Sequence, residues 1–157
     1  MSVAFRRESD EEHLEPKFAR PIPLGPNLVT EAGMAQTEAQ AARLEAELAA
    51  QIASAADQAA ITALKRELKY WQARRASAEI QPKARGDKVE FGVRVRFLLK
   101  GMARVVEIVG SDEADPAHDR LAFTAPLARA LMGAEVGETL DFGGVEDAIE
   151  LLAIEVL

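Results

Sequence analysis

Cysteine is absent from this chain, so disulfides, thiolate nucleophiles and zinc sites built on thiolates are all excluded. Histidine occurs only as His13 and His118, far apart and in no metal-ligand spacing. Aromatic side chains make up 5% of the residues although 48% are hydrophobic; alanine and leucine supply the apolar mass, a bias that favours helix. No apolar run approaches the length of a membrane span. The first residues carry Arg6 and Arg7 but then Glu8, Asp10, Glu11 and Glu12, with no apolar segment behind them, so they do not read as a signal peptide. Positive charge is also short. A formal charge of −7 argues against binding nucleic acid by general phosphate attraction. The expectation is a soluble cytoplasmic protein with no cofactor and no bound metal.

What is present falls into three segments. Residues 1–27 are charged and then punctuated by Pro16, Pro21, Pro23 and Pro26, and are expected to be a flexible leader. Residues 28–81 carry two apolar seams. Met34, Thr37, Ala41, Leu44 and Leu48 recur at alternating steps of three and four, and Ile61, Leu64, Leu68, Trp71, Arg75 and Ala78 repeat the alternation. This is the pattern of a two-helix coiled coil. Thr30 is placed to cap the first helix, and Ser54 or Asp57 to start the second. The turn between them lacks glycine and proline, so one long helix that dimerises along its seam competes with an antiparallel hairpin. The hairpin is the expected outcome, with arms of about 22 to 25 residues reaching roughly 33 to 38 Å.

Pro82, Lys83 and Gly86 end the helical region. Residues 82–157 then read as five strands and one short helix. Lys88 to Leu98 alternates valine and phenylalanine with charge, Met102 to Val109 is β-branched, and Leu121 to Thr124 is a short strand. A helix is expected to start at Pro126 and close at Gly133. Glu138 to Phe142, the Gly143-Gly144 turn and Ala148 to Val156 complete a hairpin. The expected class is α+β, an antiparallel helical hairpin followed by an antiparallel sheet packed on one helix.

Two words in the last segment are specific. Ile108-Val109-Gly110-Ser111-Asp112-Glu113-Ala114-Asp115-Pro116 resembles the IVG-x-DEAD-P loop of the Gre transcript-cleavage factors, bacterial proteins that bind RNA polymerase. Ala125-Pro126-Leu127-Ala128-Arg129-Ala130-Leu131-Met132-Gly133 resembles that family's S-P-L-A-R-A-L-x-G helix, with Ala125 in place of the serine. Val29-Thr30-Glu31-Ala32-Gly33 and Ser77-Ala78-Glu79-Ile80 match at the base of the hairpin. The resemblance implies an FK506-binding-protein-like C-terminal domain and a monomer that docks at the rim of the polymerase secondary channel. It meets nucleic acid only through the polymerase and not a membrane. Ser111, Asp112, Glu113, Asp115, Pro116, Pro126, Leu127 and Arg129 are the implied docking residues.

Cleavage-competent Gre factors carry a G-D-x-x-E-N-A-E-Y motif at the hairpin tip, whose carboxylates help hold a catalytic magnesium. A hard cation in octahedral geometry needs oxygen ligands presented together. The corresponding stretch here is Ala53-Ser54-Ala55-Ala56-Asp57-Gln58-Ala59-Ala60, in which Asp57 is the single acid; the next are Glu47 and Glu67. The tip residues Ser54 and Asp57 thus make a poor magnesium holder. The implied function is an accessory factor, not an enzyme, that regulates elongation without stimulating cleavage. The alternative is a competitor akin to the regulator of nucleoside diphosphate kinase, a relative with a reduced coiled coil. A structural coiled-coil protein and a prolyl isomerase are weaker readings; for the isomerase the C-terminal segment offers only Phe91, Phe97, Phe123 and Phe142 as aromatics.

Overall fold

The computed structural model describes residues 19–55 and 57–157; the leader expected before residue 19, and Ala56 in the turn, lie outside them. The chain opens with a short strand β1 (Asn27–Val29) and a helix α1 (Glu31–Ala53), then returns along α2 (Gln58–Ser77) into β2 (Ala78–Ile80). The helices form the hairpin, not one continuous rod. Thr30 caps α1 as expected, accepting the Gly33 N–H at 3.0 Å. Asp57 caps α2, accepting from Ala59 N at 3.4 Å. Between them Ala55 sits at φ 51°, and its N–H reaches back to Ile52 O at 3.2 Å. An alanine therefore does the work usually left to glycine, at a cost of about 1 to 2 kcal/mol.

Gly33, Thr37, Ala41 and Leu44 of α1 and Ile61, Leu68, Tyr70, Trp71 and Arg74 of α2 are buried, and Ala41, Leu44, Leu68, Tyr70 and Trp71 pack as one cluster between the helices. The seam holds as read until its last turn. There Arg74 goes inward in place of Arg75, because a carboxylate waits for it. Arms of 23 and 20 residues measure roughly 35 and 30 Å. At the base, β1 and β2 pair in parallel, Asn27 opposite Ala78 and Val29 opposite Ile80. This two-stranded sheet was not foreseen: three residues per strand are too few to show an alternation.

The C-terminal domain contains β3 (Val93–Leu99), β4 (Met102–Val109), a 3₁₀ turn (Pro116–His118), β5 (Arg120–Ala122), α3 (Pro126–Leu131), β6 (Thr139–Phe142) and β7 (Val145–Val156). The sheet order is β5-β4-β3-β7-β6. Every pair is antiparallel except β4 with β5, so the sheet is mixed at one edge. Strand β3 starts five residues later than the alternation suggests. Gly92, at φ +85°, bends the chain, and Val89 instead exchanges backbone hydrogen bonds with Gly133 and Ala134 behind α3. Val93, Val95, Phe97, Val106, Ile108, Ile149 and Leu151 line the inner face, and Ala128 and Leu131 of α3 cover it.

Candidate functional site

The residues expected to dock lie on two neighbouring pieces, the loop after β4 and helix α3. The structure separates them into an inward and an outward set. Asp112 and Glu113 point inward, against the base of the hairpin. Ser111, Asp115 and Leu127 are partly exposed, and Pro116, Pro126 and Arg129 are exposed.

The inward set has a dense bonding pattern. The Asp112 carboxylate accepts from Arg74 Nε at 2.6 Å and from the Tyr70 hydroxyl. That pair is closed to solvent, with side-chain exposures of 3% for Arg74 and 9% for Asp112. Asn27 completes it: its Oδ1 accepts from Arg74 at 2.6 Å while its Nδ2 donates to the Arg74 carbonyl at 2.8 Å. Glu113 accepts from the Thr30 hydroxyl, from Thr30 N at 3.3 Å and from Gly110 N at 3.1 Å. Thr30 thus donates to Glu113 through the same hydroxyl oxygen that accepts from Gly33 N. A carboxylate at the first turn of α1 also meets the positive end of the helix dipole.

Burying charge is unfavourable unless each charge is paired and hydrogen-bonded. The Asp112–Arg74 pair meets both conditions, Glu113 is held by hydrogen bonds from Thr30 and Gly110, and among the described residues no buried side-chain polar atom lacks a partner. Burial, and then the bond to Asp112, push the Tyr70 phenol up to about 12. Arg20, from the segment before β1, lies 4.1 Å over the Tyr70 ring and 5.4 Å from that of Trp71, and pairs with Glu67 at 3.4 Å. The last residues of the expected leader are thereby held against α2.

The carboxylates of Asp112 and Glu113, expected among the docking residues, are hydrogen-bonded to the chain's own hairpin base. Sequence spacing carried a partial signal: Arg74, Tyr70 and Thr30 are the polar residues that a purely apolar seam would not place at the hairpin base.

The outward set retains freedom. Asp115 caps the 3₁₀ turn through Ala117 N at 3.2 Å and pairs with His118 Nδ1 at 2.6 Å, a bond that holds its carboxyl below the usual range. Pro126 starts α3 with no side-chain cap on Ala125, the position where the family carries serine. Arg129 does not meet Asp112, which Arg74 already occupies.

Between the hairpin base and the sheet lies a cleft of about 600 Å³, bordered by Thr30, Lys83, Phe91, Arg94, Glu107 and Arg120 among others. Its arginines are spent: Arg94 pairs with Glu107 at 2.7 Å and Glu155 at 3.2 Å, and Arg120 with Glu107 at 3.3 Å. At the far end of the hairpin Ser54 and Asp57 are exposed, and Asp57 is engaged as a helix cap. Among the described residues no group of three or more His, Asp or Glu is placed to hold a metal ion.

Residues 82–156 match the family model described as transcription elongation factor, GreA/GreB, C-terminal. The transcription elongation factor GreA of Sinorhizobium medicae is 36% identical over 77 residues, 46% of this chain and 49% of that protein. That of Agrobacterium fabrum is 34% identical over 77 residues, with the same shares of 46% and 49%. The chain spans about half the length of the curated relatives it matches. The solved structure of GreA factor homolog 1 of Thermus thermophilus is 20% identical and covers 83% of this chain and 99% of its own, at a TM-score of 0.37.

Proposed function

We propose that this chain, whose C-terminal half belongs to the Gre family of transcription elongation factors, docks on RNA polymerase at the rim of the secondary channel and regulates elongation without stimulating transcript cleavage. The observation that carries the reading is the family match over residues 82–156, which includes both the loop and the α3 words. Docking falls to the outward set, Ser111, Asp115, Pro116, Pro126, Leu127 and Arg129. An acidic side chain and an arginine at such a rim set orientation and partner choice more than total affinity.

The second half of the proposal rests on the hairpin tip. Its one carboxylate, Asp57, caps α2, and the nearest others in the sequence are ten residues away on either side. A second magnesium ion needs several oxygen ligands presented together. The finger therefore enters or occludes without bringing a metal. Residues 82–157 act as the docking domain in this reading, and residues 28–81 as the finger.

A pull-down of core RNA polymerase by the purified chain tests the docking. Retention is expected, and it should weaken at least several-fold in the double variant Asp115→Ala, Arg129→Ala. No retention of polymerase by the wild-type chain overturns the proposal.

A further inference from the structure

We infer that the Asp112–Glu113 loop is an internal latch that fixes the direction of the helical finger, with Arg74, Tyr70 and Thr30 as its positioning residues and Gly33 as its seat. The placement of the bonds argues for this. Two consecutive carboxylates of one loop grip two different helices of the hairpin: Asp112 holds the end of α2 through Arg74 and Tyr70, and Glu113 holds the start of α1 through Thr30. Two anchor points on two helices fix both tilt and rotation, whereas one would leave the finger free to swivel. Asn27 ties β1 to the same arginine, so the strand leading into α1 moves with the latch.

Gly33 supplies an independent observation. It lies inside α1, where glycine is unfavourable relative to alanine by roughly 1 kcal/mol. Local helix physics gives no reason for it. A Cβ built there would stand 2.2 Å from Glu113 Cδ and 2.4 Å from its Oε2. The missing side chain is the space the Glu113 carboxylate occupies. On the loop side Gly110 has the same character, since a Cβ there would meet the Leu28 carbonyl oxygen at 2.5 Å. Both surfaces are hollowed where they meet, as expected for a fixed joint and not for a loop that only touches solvent.

The consequence for action rests on the docking proposed above. A finger of roughly 30 to 35 Å turns a small angular freedom at its base into a displacement of many ångströms at its tip. A latched finger arrives already aimed.

The absence of native cysteine makes the test direct. Spin labels at Ala60→Cys, near the tip, and Glu150→Cys, on β7, report the finger-to-domain distance. The wild-type background should give one narrow distribution. Gly33→Ala should broaden it at least twofold or split it, although the methyl group improves the helix; Arg74→Met with Asp112→Leu, which removes both charges together, should do the same. Arg74→Lys should keep much of the wild-type width. Fluorescence of the single tryptophan, Trp71, and circular dichroism check that each variant is folded, and Gly33→Ala decides alone should the double variant unfold. A distribution unchanged by Gly33→Ala overturns the latch. With core polymerase, the same variants should still be retained but lose their effect on elongation. If the wild-type chain is not retained, the docking proposal falls while the distances still judge the latch.

Discussion

The two halves of this molecule are stabilised in different ways. The sheet domain buries an apolar core in which Val93, Val95, Phe97, Ile108, Leu131 and Ile149 have no exposed surface. The hairpin buries little: Ala41, Leu44, Leu68, Tyr70 and Trp71 form its whole buried cluster among the described residues. Its outer third is rich in alanine and mostly exposed, with Ile61 buried and Leu48 and Leu64 half-buried. Hydrophobic stabilisation scales with apolar area removed from water, so the hairpin receives far less of it per residue. The ion pairs and hydrogen bonds at its base make up part of the difference. The sheet domain rests on its apolar core; the finger leans more on its anchor.

That contrast can be broken by substitution. The largest effect belongs to the sheet: Phe97→Ala should lose about 4 kcal/mol and lower Tm in a calorimetric scan, with both halves affected because the latch loop hangs from β4. Next comes the junction. Asp112→Ala leaves Arg74 buried and unpaired, and should destabilise by about 3 kcal/mol, read by chemical denaturation through Trp71. Leu44→Ala, inside the hairpin seam, should lose about 2 kcal/mol, at the low end for a core truncation because the neighbouring alanines leave little packed volume to lose. If Leu44→Ala proves more damaging than Asp112→Ala, the hairpin is held by its own seam and the contrast fails.

The smallest effect is a titration, and it sharpens the same point. The chain has a single tyrosine, so the phenolate absorbance reports Tyr70 alone. Its folded pKa of about 12 lies above the ordinary 10.0, so the folded state holds the proton more tightly than the unfolded state. The associated stabilisation is complete below pH 10 and fades as the pH rises toward 12. A wild-type midpoint near 12 that falls toward 10 in Arg74→Met with Asp112→Leu is the expected result. A wild-type midpoint of 10 places the hydroxyl in water.

Much of the architecture was readable because it is written in periodicity. The seam residues Thr37, Ala41, Leu44, Ile61, Leu68 and Trp71 announced paired helices, and the alternation of Val93, Val95 and Phe97 announced a strand with one buried face. Caps at Thr30 and Asp57 followed from residue type. What escaped was long-range and polar. No local rule says that Asp112 will find Arg74 across 38 positions, or Glu113 find Thr30 across 83. The parallel pairing of β5 with β4 is equally silent in a three-residue strand. The loop after β4 was legible as a motif, but which of its acids face outward depends on what the hairpin base presents to it.

The central claim is a docked finger without a metal to deliver, and backtracked elongation complexes test it most directly. Added to such complexes with magnesium, the chain should leave the transcript uncut while competing with an authentic GreA for the same polymerase. Prompt release of a short 3′ transcript fragment that disappears in Asp57→Ala would contradict the account.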